Sequence, residues 1–152
     1  MKKLLSITVL LTLTTTLHAW NYQVNGSTNI PGKSNTRIYR NRNGSPAGRS
    51  RIHGDTTYHY EGNGGPAGRS KTRGNTTYHY NRNGTPAGRS RKQGNITYHY
   101  QANGQPAGRS QTRGNITHHY NSDGSISGRS VRSGDVVYHY DSKGKLIGTT
   151  RE

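Results

Sequence analysis

Residues 74–93 read GNTTYHYNRNGTPAGRSRKQ, and this twenty-residue stretch recurs with small changes between Asn41 and Thr150. Tyr-His-Tyr stands at 58–60, 78–80, 98–100 and 138–140, and the remaining copy has His118-His119-Tyr120. Gly-Arg-Ser stands at 48–50, 68–70, 88–90, 108–110 and 128–130. A fixed period of this kind means an array of one small unit, and it outranks every local signal.

Each unit carries two turn signals. The first places Asn or Asp three residues before Gly, as in Asn41 with Gly44, Asn81 with Gly84, Asn121 with Gly124 and Asp141 with Gly144. A short polar side chain followed by Gly at the fourth position suits a type I turn. The second is Gly54-Asp55, Gly74-Asn75, Gly94-Asn95, Gly114-Asn115 and Gly134-Asp135. Both residue types tolerate the positive φ of a tight hairpin. Between the turns lie a Thr/Ile/Val/Tyr stretch (76–80) and a Pro-Ala-Gly-Arg-Ser stretch (86–91), neither with helical period. The fold class expected is all-β: tandem antiparallel β-hairpins of twenty residues forming one extended twisted sheet. The alternative is a β-solenoid with one coil per repeat. Hairpins advance a sheet by about 10 Å per unit and a solenoid by about 4.8 Å.

Three regions follow. Residues 1–19 read as a signal peptide, with Lys2 and Lys3 before an apolar stretch and Ala19 at the cleavage point. No transmembrane segment is expected, since fourteen apolar residues (4–17) are short for a span. The mature chain then begins at Trp20 and is secreted, to the periplasm or beyond. Residues 20–40 form a polar lead-in with a degenerate first repeat, in which Ile38-Tyr39-Arg40 aligns with Tyr58-His59-Tyr60. Residues 41–152 form a five-unit array. Its last unit is more apolar, with Val131, Val136, Val137, Leu146 and Ile147, and suits a cap or an edge that meets another molecule.

Apolar residues make up only 26% of the 152, with no Phe and no Cys. A thick apolar core and any disulfide are excluded. The formal charge is +16, concentrated between Lys33 and Arg113, where fifteen Lys/Arg face Asp55 and Glu61. From residue 122 onward five basic residues meet four acidic ones. Such a body suits polyanions: anionic polysaccharide, lipopolysaccharide or an anionic surface. Sequence-specific nucleic-acid readout has no motif behind it.

Strand alternation sorts the side chains into columns. The polyanion-binding candidates are Arg49, Arg51, Arg69, Lys71, Arg73, Arg89, Arg91, Arg109 and Arg113, whose forked or point charges match phosphate, sulfate or carboxylate. Tyr58, Tyr60, Tyr78, Tyr80, Tyr98, Tyr100, Tyr120, Tyr138 and Tyr140 either stack on sugar rings or form a thin core. Which columns share a face depends on register. A turn pairing 61 with 65 puts histidine with the basic face. Pairing 60 with 65 puts tyrosine there, and the two-residue turn at Gly74-Asn75 fits only the second unless a bulge intervenes. His59, His79, His99, His119 and His139 form a column too widely spaced for shared metal ligation, so cross-strand packing is expected. No metal, cofactor or catalytic residue is expected. The six carboxylates are scattered and the Ser–His pairs are repeated rather than unique.

Tyr138-His-Tyr-Asp-Ser-Lys-Gly-Lys-Leu-Ile-Gly148 resembles the YD repeat of Rhs and teneurin-type proteins. Earlier units keep the tyrosines and glycines but depart at Asp, which is Asn81, Asn121, Glu61 or Gln101, and carry Pro46, Pro66, Pro86 and Pro106 at the apolar position. The resemblance implies exported β-hairpin repeats and carbohydrate binding. The layout is also similar to curli-type fibre subunits, though their Gln/Asn ladders are absent. Two functions are therefore expected: a secreted, non-enzymatic binder of surface polyanions or glycans, or a structural subunit that self-associates through its sheet edges into an extracellular, amyloid-like fibre.

Overall fold

Every twenty-residue unit folds as two antiparallel strands, and the reason lies in its turns. The computed structural model describes residues 35–152. Six-residue strands alternate with longer ones: β1 (Thr36–Asn41), β2 (Pro46–His53), β3 (Thr56–Glu61), β4 (Pro66–Arg73), β5 (Thr76–Asn81) and β6 (Pro86–Gln93). The same alternation continues through β7 (Ile96–Gln101), β8 (Pro106–Arg113), β9 (Ile116–Asn121), β10 (Ile126–Ser133) and β11 (Val136–Asp141), and the last strand, β12 (Leu146–Arg151), is again six residues long.

The Asn-x-x-Gly turns form as read: the Gly84 amide donates to the Asn81 carbonyl at 2.9 Å, and the Asn81 amide to the Thr85 carbonyl at 2.9 Å. An unforeseen brace supports them. The Asn83 side chain accepts from the Thr85 amide at 3.2 Å, and Asn63 and Asn103 do the same one unit away on either side. At the tight turns only the glycine has positive φ, +55° at Gly74 and +56° at Gly94. The following Asn or Asp does not, which makes these type II′ turns.

A β-bulge follows each wider turn. In β3–β4, Tyr60 lies opposite Pro66 while His59 lies opposite Gly68, so Ala67 is the extra residue. The turn thus pairs 61 with 65 and the bulge then restores parity. Tyrosine and arginine share a face, and histidine joins serine on the other.

The expected open sheet is corrected by the ends of the chain, and so is the solenoid. All adjacent strands pair antiparallel in chain order, and β1 pairs β12 to close a twelve-strand barrel. Thr150 lies opposite Tyr39 at this seam, as Ser130 lies opposite His139 and Ser50 opposite His59 within the array. The degenerate first repeat therefore occupies the place of a seventh unit, with Tyr39 where a histidine would stand. Two features bend the sheet into closure. One is a bulge in each hairpin, carrying a positive-φ glycine in all but the last, such as Gly68 at +139°. The other is a constant stagger: Ser50 is opposite His59, whereas Ser70 is opposite Thr57, two residues further along the same strand. A closed barrel needs a fixed stagger of this kind. The apolar last unit is not a bare edge. Val136 and Leu146 lie half-buried in the sheet beside the seam.

No apolar side chain among the described residues is fully buried. Apart from glycines, the buried positions are polar: Arg37, Thr97, Thr150, the serines at 50, 70, 90, 110 and 130, and the histidines at 79, 99, 119 and 139. Tyr58 and Tyr78 are 42% and 39% exposed, so this tyrosine column faces solvent and is no thin core.

Candidate functional site

The inward face is one hydrogen-bonded chain. Tyr39 Oη meets Ser50 Oγ at 2.7 Å, and Ser50 meets His59 Nδ1 at 2.7 Å. His59 Nε2 continues to Ser70 at 2.9 Å, and Ser70 to His79 Nδ1 at 2.9 Å. The pattern repeats through Ser90, His99, Ser110, His119, Ser130 and His139, and ends on Thr150 Oγ1 at 2.9 Å. Register explains it. Serine and histidine are directly opposite in β4–β5, and the two-residue stagger brings the next serine diagonally across β5–β6. Each neutral imidazole has one donor and one acceptor nitrogen, and each hydroxyl donates once. Links of this kind run head to tail when all the histidines hold the same tautomer.

Burial keeps the rings uncharged. It lowers His59, His79 and His99 from 6.5 to about 4, assisted at His59 by the Arg37 charge and at His79 by His59 and His99. Both nitrogens of each ring are engaged by hydroxyls, so the histidine column is scaffold. Removing one hydroxyl should show this. Ser90→Ala deprives His79 Nε2 and His99 Nδ1 of their shared partner. The expected cost is about 2–4 kcal/mol, read as a lower urea midpoint with unchanged slope. A partly buried ion cluster ties the seam. Glu152 holds Arg37 at 3.1 Å and Arg132 at 2.7 Å.

The outward face carries the candidate ligand-binding residues. Arg49, Arg51, Arg69, Arg89, Arg91 and Arg109 are all exposed there, and Lys71 is half-buried. Arg73 and Arg113 stand at the rim, opposite Thr76 and Ile116 next to the tight turns. The guanidinium of Arg49 lies 5.0 Å from the Tyr60 ring centre, Arg69 5.2 Å from Tyr80, Arg89 4.9 Å from Tyr100 and Arg109 4.9 Å from Tyr120. Arg129 over Tyr140 at 5.1 Å completes the series. It belongs with the candidates, and its place in the Gly-Arg-Ser repeat was the signal for it. Such stacking holds a guanidinium flat while its N–H edge stays in solvent.

The second tyrosine column is different. Tyr58 lies opposite Arg51 on one side and Arg69 on the other. Tyr78 lies between Lys71 and Arg89, and Tyr98 between Arg91 and Arg109. The pattern then fails: His118 lies between Gln111 and Arg129, and Tyr138 between Val131 and Thr149. A tyrosine with a cation opposite it on both neighbouring strands therefore recurs across β2–β8 only, whereas the stacked Arg–Tyr pairs continue to Arg129 and Tyr140.

A scan against protein-family models finds no match, and a search of curated proteins finds none either. Among solved structures, the X-ray structure of a protein from Arabidopsis thaliana is similar, with a TM-score of 0.54 at 10% sequence identity. The match covers 78% of this chain and 81% of that one, and at this identity it is a likeness of fold.

Proposed function

We propose that the chain is an exported, non-enzymatic barrel that binds extracellular or surface polyanions on its outer face. The observation that carries this reading is the set Arg69, Arg89 and Arg109. Each is exposed and stacked on a tyrosine, and its side chain has no hydrogen bond or ion pair to another described residue. Three oriented guanidinium edges on one face suit a multivalent anion, and many weak contacts add through avidity. Charged residues along mid-strand would be costly against lipid, so this face suits water and anions. The likeness of residues 138–148 to YD repeats leans toward a glycan, and the reading of residues 1–19 as an export signal lies outside the described residues. Fibre growth through sheet edges, the alternative reading, would first have to break the β1–β12 seam.

The test is binding of long-chain polyphosphate across a salt series. Affinity should fall steeply with salt. Replacing Arg69, Arg89 and Arg109 together by Gln should lower it by about a hundredfold at low salt, on the order of 1 kcal/mol per contact, while the melting curve stays in place. Wild-type affinity in that triple variant would overturn the proposal.

A further inference from the structure

The two tyrosine columns have different work. Tyr80, Tyr100 and Tyr120 lie beneath guanidinium groups, which already occupy a ring face. Tyr58 and Tyr78 carry no such cover and are 42% and 39% exposed. Each of the rings Tyr58, Tyr78 and Tyr98 has a cation opposite it on both neighbouring strands. An aromatic platform with a cation at either side takes a ligand unit that has a flat apolar face and an anionic edge.

Spacing narrows the class. Successive platforms are one hairpin apart, about 10 Å at the ordinary strand separation. An acidic glycan with one carboxylate or sulfate per disaccharide repeats at about the same length. A nucleic-acid duplex places a phosphate on each strand about every 3.4 Å of axis, about three to each platform step, but its paired bases are already stacked on one another and offer the tyrosines no free face. Lys71 is also within 3.4 Å of Asp55, with both side chains largely in water, 40% and 52% exposed. An exposed pair of this kind is weak and does not withhold the ammonium from a ligand.

We infer that β2–β8 carry three consecutive subsites, centred on Tyr58, Tyr78 and Tyr98, for an acidic polysaccharide bearing one anion per disaccharide. The inference rests on the proposed polyanion binding and names its ligand class. Each sugar stacks on a tyrosine, exposed at Tyr58 and Tyr78 and half-buried at Tyr98, and its anion lies against the flanking cation. The pattern ends at His118, so a stretch of three disaccharides fills the site.

The experiment is calorimetry with a hyaluronan hexasaccharide and, separately, with polyphosphate, on the full barrel. Tyr78→Thr and Tyr98→Thr should each weaken the hexasaccharide about tenfold or more, within the range of aromatic stacking. The same changes should leave polyphosphate within about twofold. Tyr78→Phe keeps the ring and should bind like the parent chain. Tyr138→Thr lies outside the subsites and should change nothing. Threonine suits a strand, and a melting curve checks that each variant is folded. Should Tyr78→Thr lose its fold, Arg89→Gln with the hexasaccharide reads the same subsite from its cation, with a tenfold loss expected. If the tyrosine variants bind the hexasaccharide unchanged while the arginine triple variant weakens polyphosphate, the subsite inference fails and the polyanion reading stands. If neither probe binds the parent chain, both fail. Tighter binding of oligo-deoxythymidine with the same tyrosine dependence would overturn the glycan in favour of a single strand.

Discussion

Lowering the pH from 7 to 4 should unfold the barrel. His59, His79 and His99 titrate near 4 in the fold because burial disfavours the cation, against 6.5 in an open chain. Above 6.5 both states are neutral and the stability is fully present. Between 6.5 and 4 the unfolded chain takes up protons that the folded chain refuses, so stability falls throughout that window and the loss is complete below 4. Each ring then contributes a loss of about 3 kcal/mol. Three such losses rival the whole stability of an ordinary domain, about 5–15 kcal/mol. Asp55 and Asp123 are exposed carboxylates held low by hydrogen bonds to Thr56 and Ser125, so they titrate beneath this window. Circular dichroism against pH should show a cooperative transition near pH 5. Replacing His99 by Gln, whose amide can span Ser90 and Ser110, should move the midpoint downward. A barrel that keeps its spectrum to pH 4 would show that these rings are solvated.

Gly68→Ala and Gly108→Ala should be equally damaging, for a steric reason. Both glycines sit in bulges at φ +139° and +141°. A Cβ there would stand 2.3 Å from the Tyr80 carbonyl oxygen and 2.2 Å from that of Tyr120. The obstacle is the backbone of the next strand, which cannot rotate away. The strained φ and the collision together should cost about 3–5 kcal/mol and lower the melting temperature by about 10 °C or more. Gly74→Ala is the control. Its φ of +55° is strained, but a Cβ would meet nothing within 4 Å. It should cost only about 1–2 kcal/mol. Equal melting curves for Gly68→Ala and the parent chain would contradict the bulge geometry.

Gly74 was legible as a turn from the chain alone, whereas the bulge at Gly68 was not. The repeat, its two turns and the hairpins follow from spacing, because Asn-x-x-Gly and Gly-Asn are local instructions. The alignment of Tyr39 with His59 was also legible, and it places Tyr39 opposite Thr150 in the closing seam. Closure itself was not. It depends on a stagger of two residues accumulating over six hairpins, a property of the sum rather than of any unit. The face shared by Tyr78 and Arg89 turned on one extra residue in each bulge, and Ala67 does not announce itself as such. The Ser–His chain was hidden for the same reason. Its members were visible as two columns, but only the stagger sets Ser70 between His59 and His79. The separation of covered from exposed tyrosines likewise needs the register, since the sequence writes Tyr78-His79-Tyr80 with no mark of difference.

The central claim is that the outer surface of β2–β8 binds and the inner histidine chain supports. Nuclear magnetic resonance during a polyphosphate titration at pH 7 tests it in one measurement. The account predicts that shifts concentrate at Arg69, Arg89 and Arg109 and their tyrosine neighbours, while the imidazole signals of His79, His99 and His119 stay still and share one tautomer. Shifts centred on those imidazoles, or on β12, would contradict it.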